Sequence, residues 1–180
     1  EIQSNCFSKC TKIKELKIPE SIGTIHKYAF AEFISLTSIT LPNSMTIIDE
    51  YTFLNCKSLI EVIIPSSVTS IGNSAFENCI NLKNIKLPSS LIFIGKYSFK
   101  NCESIEIIEI PPSISIIEKG VFENCSKLRE IKLSQFITQI NSNTFSNCTS
   151  LLSIEIPHSV IEITSCTFLN CRSLIEVIIP

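Results

Sequence analysis

The chain has almost no charge of either sign to spare, since 15 Lys and Arg stand against 17 Asp and Glu for a formal net charge of -2 over 180 residues. That balance lacks the basic surplus that neutralises a phosphate backbone or anionic headgroups, so no nucleic-acid partner is expected. Long apolar runs are missing too. Stretches such as "VIIP" and "LIFIG" fall far short of the ~18 residues of a membrane-spanning helix, and this segment is expected not to insert into a membrane. Only four glycines occur, Gly23, Gly72, Gly95 and Gly120, scattered over turn-like stretches with no G-x-G-x-x-G and no Walker loop to cradle a phosphate. The two histidines, His26 and His158, are far apart and form no Ser/His/Asp, Cys/His or H-E-x-x-H arrangement. No catalytic, cofactor-binding or metal-ligating residue is expected, no cofactor is implied, and the chain is read as non-enzymatic. The opening "EIQSNCFSKC" has neither a basic nor an apolar leader region, so no signal peptide is visible in this segment, although a processed or truncated chain would look the same.

What is present is repetition. "TFLNCKSLIEVIIP" at 52–65 returns as "TFLNCRSLIEVIIP" at 167–180, an offset of 115 residues that is five times 23. Phenylalanine recurs at Phe7, Phe30, Phe53, Phe76, Phe99, Phe122, Phe145 and Phe168, each step being 23 residues. With proline as position 1, a partial unit (1–18) is followed by seven full units at 19–41, 42–64, 65–87, 88–110, 111–133, 134–156 and 157–179. Ser134 is the one departure among the opening prolines, and the terminal Pro180 would open a further unit. These units are read as one solenoid domain, expected to be an excerpt of a longer array, natural or engineered.

Within a unit, apolar residues return at positions 4, 7, 12, 18, 21 and 23, as Val68, Ile71, Phe76, Leu82, Ile85 and Leu87 show. One unit cannot bury that side alone, but units stacked in register turn six positions into six continuous apolar columns. Alternation over positions 20 to 23 predicts a short strand with 21 and 23 facing inward and 20 and 22 outward. Positions 4 to 7 predict a briefer extended segment. The stretch around the Phe, such as "GNSAFENC", predicts a turn or a short helical segment, and the proline stops the strand because it has no N–H for the ladder.

The run "IPSSVTSIGNSAFENCINLKNIKLP" at 64–88 resembles the BspA-like leucine-rich repeats, and the resemblance covers essentially the whole chain. It implies a right-handed superhelix of the α/β leucine-rich-repeat type, with a parallel β-sheet on the concave face and short strands and helical turns elsewhere. Relatives of that kind are surface proteins of bacteria and parasitic protists associated with adhesion and cell-cell attachment. Phe33 where most units have Cys, Ser134 in the proline column and Phe136 where others have Ser depart from the pattern locally.

Seven of nine cysteines, Cys10, Cys56, Cys79, Cys102, Cys125, Cys148 and Cys171, share position 15. A column of parallel side chains does not converge on a metal, and its Cβ spacing near ~4.8 Å exceeds the ~3.8 Å a disulfide prefers. Buried, reduced thiols acting as small hydrophobes are expected. Cys6 is expected to pack as well, whereas Cys166, in the variable row at position 10, is expected to be exposed. The asparagine before the column cysteine, Asn55, Asn78, Asn101, Asn124, Asn147 and Asn170, is expected to satisfy backbone groups in the turn or the next coil. "NCS" at 124–126 and "NCT" at 147–149 match the glycosylation acceptor pattern, but their place in that structural row argues against use.

The outward strand positions are the candidate protein-binding surface: Glu61, Ile63, Asn84, Lys86, Ile107, Glu109, Glu130, Lys132, Ser153, Glu155, Glu176 and Ile178. Apolar islands rimmed by charge mark interfaces, and Ile60 and Ile175 lie at the margin. A cell-surface or extracellular adhesion module, with an extracellular-matrix or cell-surface protein as ligand, is the leading expectation. The alternatives are an intracellular scaffold, suited to free thiols in the cytoplasm, and end-to-end self-association of uncapped units into a homo-oligomer.

Overall fold

The proline that closes one strand and the phenylalanine that seats the following turn divide each 23 residues into two short extended segments. In the computed structural model, which describes residues 1–179, the first set is β1 (Ser38–Thr40), β3 (Glu61–Ile63), β5 (Asn84–Ile85), β7 (Ile107–Glu109), β9 (Glu130–Lys132), β11 (Ser153–Glu155) and β13 (Glu176–Ile178). The second set is β2 (Ile47–Ile48), β4 (Ser70–Ile71), β6 (Phe93–Ile94), β8 (Ile116–Ile117), β10 (Gln139–Ile140) and β12 (Glu162–Ile163). Pro180, expected to open a further unit, lies outside the described residues.

All pairing is parallel and offset by one period: Ser38 faces Glu61, Glu61 faces Asn84, and Ile107 faces Glu130. Ile47, Ser70 and Phe93 line up in the second set in the same way, as do Ile116, Gln139 and Glu162. The middle residue of β1, β7, β9 and β11 is buried while both neighbours are exposed, as the period-two pattern requires. The fold is the expected leucine-rich-repeat solenoid.

The columns pack it. Rings of Phe7 through Phe168 stack along the axis with centroids 5.2 to 5.9 Å apart. A further inward row, not among the six expected, is Ala29, Thr52, Ala75, Ser98, Val121, Thr144 and Thr167 at position 11, all buried. The threonines there are satisfied locally, with Thr52, Thr144 and Thr167 donating to the carbonyl three residues back at 2.8, 2.6 and 2.7 Å.

No helical turn forms among the described residues, contrary to that part of the expectation. Each coil instead places two residues at left-handed φ, one at position 10 (Asn5, Tyr28, Tyr51, Ser74, Tyr97, Gly120, Asn143, Cys166) and one at position 14 (Lys9, Glu32 and the asparagines). Only three residues separate the two, too few for a right-handed helical segment between them.

Candidate functional site

The cysteine column has a geometry that settles its chemistry. The carbonyl of Phe53 accepts the backbone N–H of Cys56 at 3.1 Å and the thiol of Cys79, one coil later, also at 3.1 Å. The same thiol-to-Phe bond recurs from Cys56 to Cys171 at 3.0 to 3.3 Å. Burial pushes the thiols of Cys79, Cys102, Cys125 and Cys148 well up, so they stay protonated, which suits a donor and disfavours a nucleophile or metal ligand. All nine cysteines are free, and among the described residues no His, Cys, Asp and Glu cluster could hold a metal. Cys166 is exposed as expected, but so is Cys6, because the first coil leaves its position 11 open to solvent rather than packed. Cys10 and Cys171, at the outer coils of the column, are only half buried.

The asparagine row corrects a second expectation. The amides bond one another rather than the backbone: each Nδ2 donates to the Oδ1 of the asparagine one coil earlier, from Asn78 to Asn170, at 2.5 to 2.8 Å. Asparagine tolerates the left-handed φ of 59° to 62° found at these positions, which explains why it dominates the row. Asn124 and Asn147, the two glycosylation-pattern residues, have their Nδ2 committed to this ladder.

The outward strand face carries a hollow of about 950 Å³. Six of the twelve candidate residues, Glu61, Ile63, Asn84, Lys86, Ile107 and Glu109, line it from β3, β5 and β7, with Lys86 just past the end of β5. Ile63 and Ile107 leave 52% and 54% of their surface exposed there, with Lys86 in the coil between them. The other six, Glu130, Lys132, Ser153, Glu155, Glu176 and Ile178, are exposed on β9, β11 and β13 outside the hollow. Lys132 reaches Glu130 at 3.9 Å, whereas among the described residues Glu61, Lys86 and Glu109 make no ion pair.

At the other margin of the same strands a smaller hollow of about 490 Å³ is lined by Thr37, Ser58, Ile60, Asn81, Lys83 and Ser104. Beside it Glu106 is held between Lys83 at 3.1 Å and Arg129 at 2.5 Å. The Lys83 hydrogen bond, then its charge and that of Arg129, hold the Glu106 carboxyl below the usual carboxylate range.

Sequence reasoning missed the wall of the larger hollow formed by the turn after the strand, where Ile64, Ser66, Pro88, Ser89, Pro111 and Pro112 sit. The doubled proline at 111–112 was the available signal. It also missed that the second set of strands exposes large apolar residues, Ile47, Phe93 and Ile116 at position 6 with Ile92 beside them.

Comparisons with known proteins agree with this architecture. A leucine-rich repeat protein from Bacteroides ovatus, solved by crystallography, is 25% identical with a TM-score of 0.76, over 97% of this chain and 57% of that one. The T. pallidum leucine-rich repeat protein is 26% identical with a TM-score of 0.60, over 86% of this chain and 61% of that one. The chain therefore spans less than two thirds of either solved protein. A leucine-rich cell surface protein from Faecalibacterium prausnitzii, 23% identical with a TM-score of 0.50, shares the fold over 97% of this chain and 68% of its own. No curated protein matches the chain. The BspA type leucine rich repeat region matches in six copies across residues 1–106 and 46–176. The 23-residue coil, its phenylalanine stack and that match together place the chain in the BspA type leucine-rich repeat family.

Proposed function

We propose that this chain is a non-enzymatic protein-binding module whose working surface is the face of β3, β5 and β7, and that it serves attachment to a host or neighbouring-cell protein. The observation that carries the reading is the hollow of about 950 Å³, in which exposed Ile63 and Ile107 are ringed by Glu61, Lys86 and Glu109. An apolar centre with a charged rim suits a protein ligand: burial of the isoleucines supplies affinity, and the charges select register and partner. The cell-surface name of the Faecalibacterium neighbour agrees with an outer-surface setting.

The test is attachment of bead-coupled chain to a surface coated with solubilised extracellular matrix, compared with a Lys86→Glu/Ile107→Asp/Glu109→Lys variant. All three side chains are exposed, so an unchanged melting temperature checks that the fold is kept. Attachment of the parent chain with at least a tenfold loss in the variant is expected. No attachment of the parent, or equal attachment of both, overturns the reading.

A second reading, an intracellular scaffold using the same face, is favoured by the nine free cysteines, which suit a reducing compartment. Alkylation of the native protein at the moment of cell lysis distinguishes the two settings. Disulfides among Cys6, Cys166 or other chains' thiols would contradict the intracellular reading.

A further inference from the structure

Backbone hydrogen bonds between successive coils run in rows, and three of those rows have a gap at the same junction. At position 19 the N–H of each coil donates to the preceding one: Ile60 to Thr37, Lys83 to Ile60, then Arg129 to Glu106, Leu152 to Arg129 and Ile175 to Leu152. Among the described residues the bond from Glu106 to Lys83 is missing. At position 5, Thr69 bonds Thr46, Ile92 bonds Thr69, Thr138 bonds Ser115 and Ile161 bonds Thr138, but Ser115 does not bond Ile92; Thr46 does not bond Gly23 either, though at that earlier junction the first set stays paired through β1 and β3. At position 8, Gly72, Gly95, Asn141 and Thr164 bond the preceding coil, whereas Glu118 does not bond Ile94 and, at the earlier junction where the first set is continuous, Asp49 does not bond Ile25.

The strand ladders break there as well. The first set pairs β1-β3-β5 and then β7-β9, and the second pairs β2-β4-β6 and then β8-β10-β12. Both breaks lie between the stretch from β5 to β6 and the stretch from β7 to β8. The first set also separates between β9 and β11, but there the position-19 bond and the whole second set remain continuous. A side-chain row shifts at the same place. Ser44, Ser67, Ser90 and Ser159 reach the carbonyl at position 4 of the preceding coil, Ser44 and Ser159 reaching position 2 as well, whereas Ser113 bonds only Ser89 at position 2. The junction coincides with the step from Gly95 to Glu118. A Cβ at Gly95 would lie 2.6 Å from the nitrogen of Asn73, so the coils before the junction approach more closely than a side chain at that position permits.

The third side of the coil is intact across the junction. Tyr97 N–H bonds Lys119 at 3.0 Å, Phe99 bonds Val121 at 3.0 Å and Asn101 bonds Glu123 at 2.8 Å. The asparagine ladder passes through at 2.6 Å, and Phe99 stacks on Phe122 at 5.7 Å.

We infer that the solenoid is two rigid blocks meeting at one compliant seam, which opens on the strand sides about a spine made of the asparagine ladder and the phenylalanine stack. The binding hollow straddles this seam, with Ile63 and Lys86 on one block and Ile107 and Glu109 on the other. Resting on the binding role proposed above, the seam makes the hollow the adjustable part of the face, so a partner seated there spans both blocks and sets their separation. Stability in repeat arrays is a sum of unit and nearest-neighbour interface terms, and one interface lacking its backbone bonds on two sides is the natural place to flex.

Amide hydrogen exchange of the free chain, read residue by residue by NMR, tests this without any partner. Glu106, Ser115 and Glu118 should exchange at least tenfold faster than Arg129, Thr138 and Asn141, their equivalents one coil later, while Tyr97, Phe99 and Asn101 remain as slow as Gly120, Phe122 and Asn124. Contrast below tenfold in the first comparison, or equally fast exchange along the spine, overturns the seam. Because the binding role is tested by attachment, either result stands independently of the other.

Discussion

At the residue scale the repeated side chains do two duties at once, and that makes their behaviour predictable. The column cysteines fill apolar space and donate to a phenylalanine carbonyl, with burial holding the thiol protonated far above its ordinary range. At pH 8 a disulfide reagent should therefore react promptly with Cys6 and Cys166, slowly with Cys10 and Cys171, and with Cys56, Cys79, Cys102, Cys125 and Cys148 only after unfolding. Mass mapping of the labelled native protein checks the order, and rapid native labelling of Cys102 would contradict it. Asn101 combines a left-handed φ of 59° with two ladder bonds, to Asn78 and from Asn124. Replacing it with alanine removes the bonds and leaves at left-handed φ a residue without the short polar side chain that makes that backbone region tolerable, costing about 2 kcal/mol or more in urea unfolding. Asn101→Gly keeps the backbone accessible and should lose only ~1 kcal/mol, so equal losses would mean that φ is not the issue. The asparagine row was visible in the sequence, but its ladder was not. Lys9 and Glu32 hold the same backbone conformation without the amide, and the Tyr, Ser, Asn and Cys at position 10 show that one φ hides behind a variable row.

At the element scale, what the sequence made legible was whatever repeats as apolar pattern. The columns through Val68, Ile71, Phe76 and Leu82 are buried as read, and the outward alternation placed Ile63 and Ile107 on the strand surface. What it left dark depends on backbone spacing between coils, which no single unit encodes. The glycines illustrate this: a Cβ at Gly95 would meet backbone at 2.6 Å, whereas one at Gly23 would meet nothing nearer than 4.0 Å. Gly95→Ala should accordingly destabilise by about 1–3 kcal/mol through forced separation of two coils, and Gly23→Ala should stay within ~0.5 kcal/mol. Chemical denaturation of the two variants side by side measures the difference, and a neutral Gly95→Ala would show that the coils yield freely. The hollow's second wall was missed for a related reason. Ser66, Ser89 and Pro112 belong to the turn after the strand, and only the stacking of three coils brings those turns beside the outward side chains.

At the scale of the whole molecule, one period governs everything, so the chain should tolerate removal of a full unit and no other length. Excision of 65–87 joins Ile64 to Pro88 and recreates the Ile-Pro step of the register, leaving every later column in line. That deletion should give a folded, cooperatively unfolding chain of lower stability, whereas excision of 65–86 shifts the inward residues out of their columns and should abolish the sharp transition seen by circular dichroism. Equal outcomes for the two deletions would contradict in-register stacking. The face that this stacking builds is where function is assigned, and one measurement addresses that assignment most directly. Hydrogen exchange of the chain bound to matrix-coated beads, compared with the free chain, should show protection concentrated in 61–66, 84–89 and 107–112, with 97–101 on the opposite turns unchanged. Protection confined to those turns, or to the exposed outer side of β6 and β8, would place the binding surface elsewhere and contradict the account.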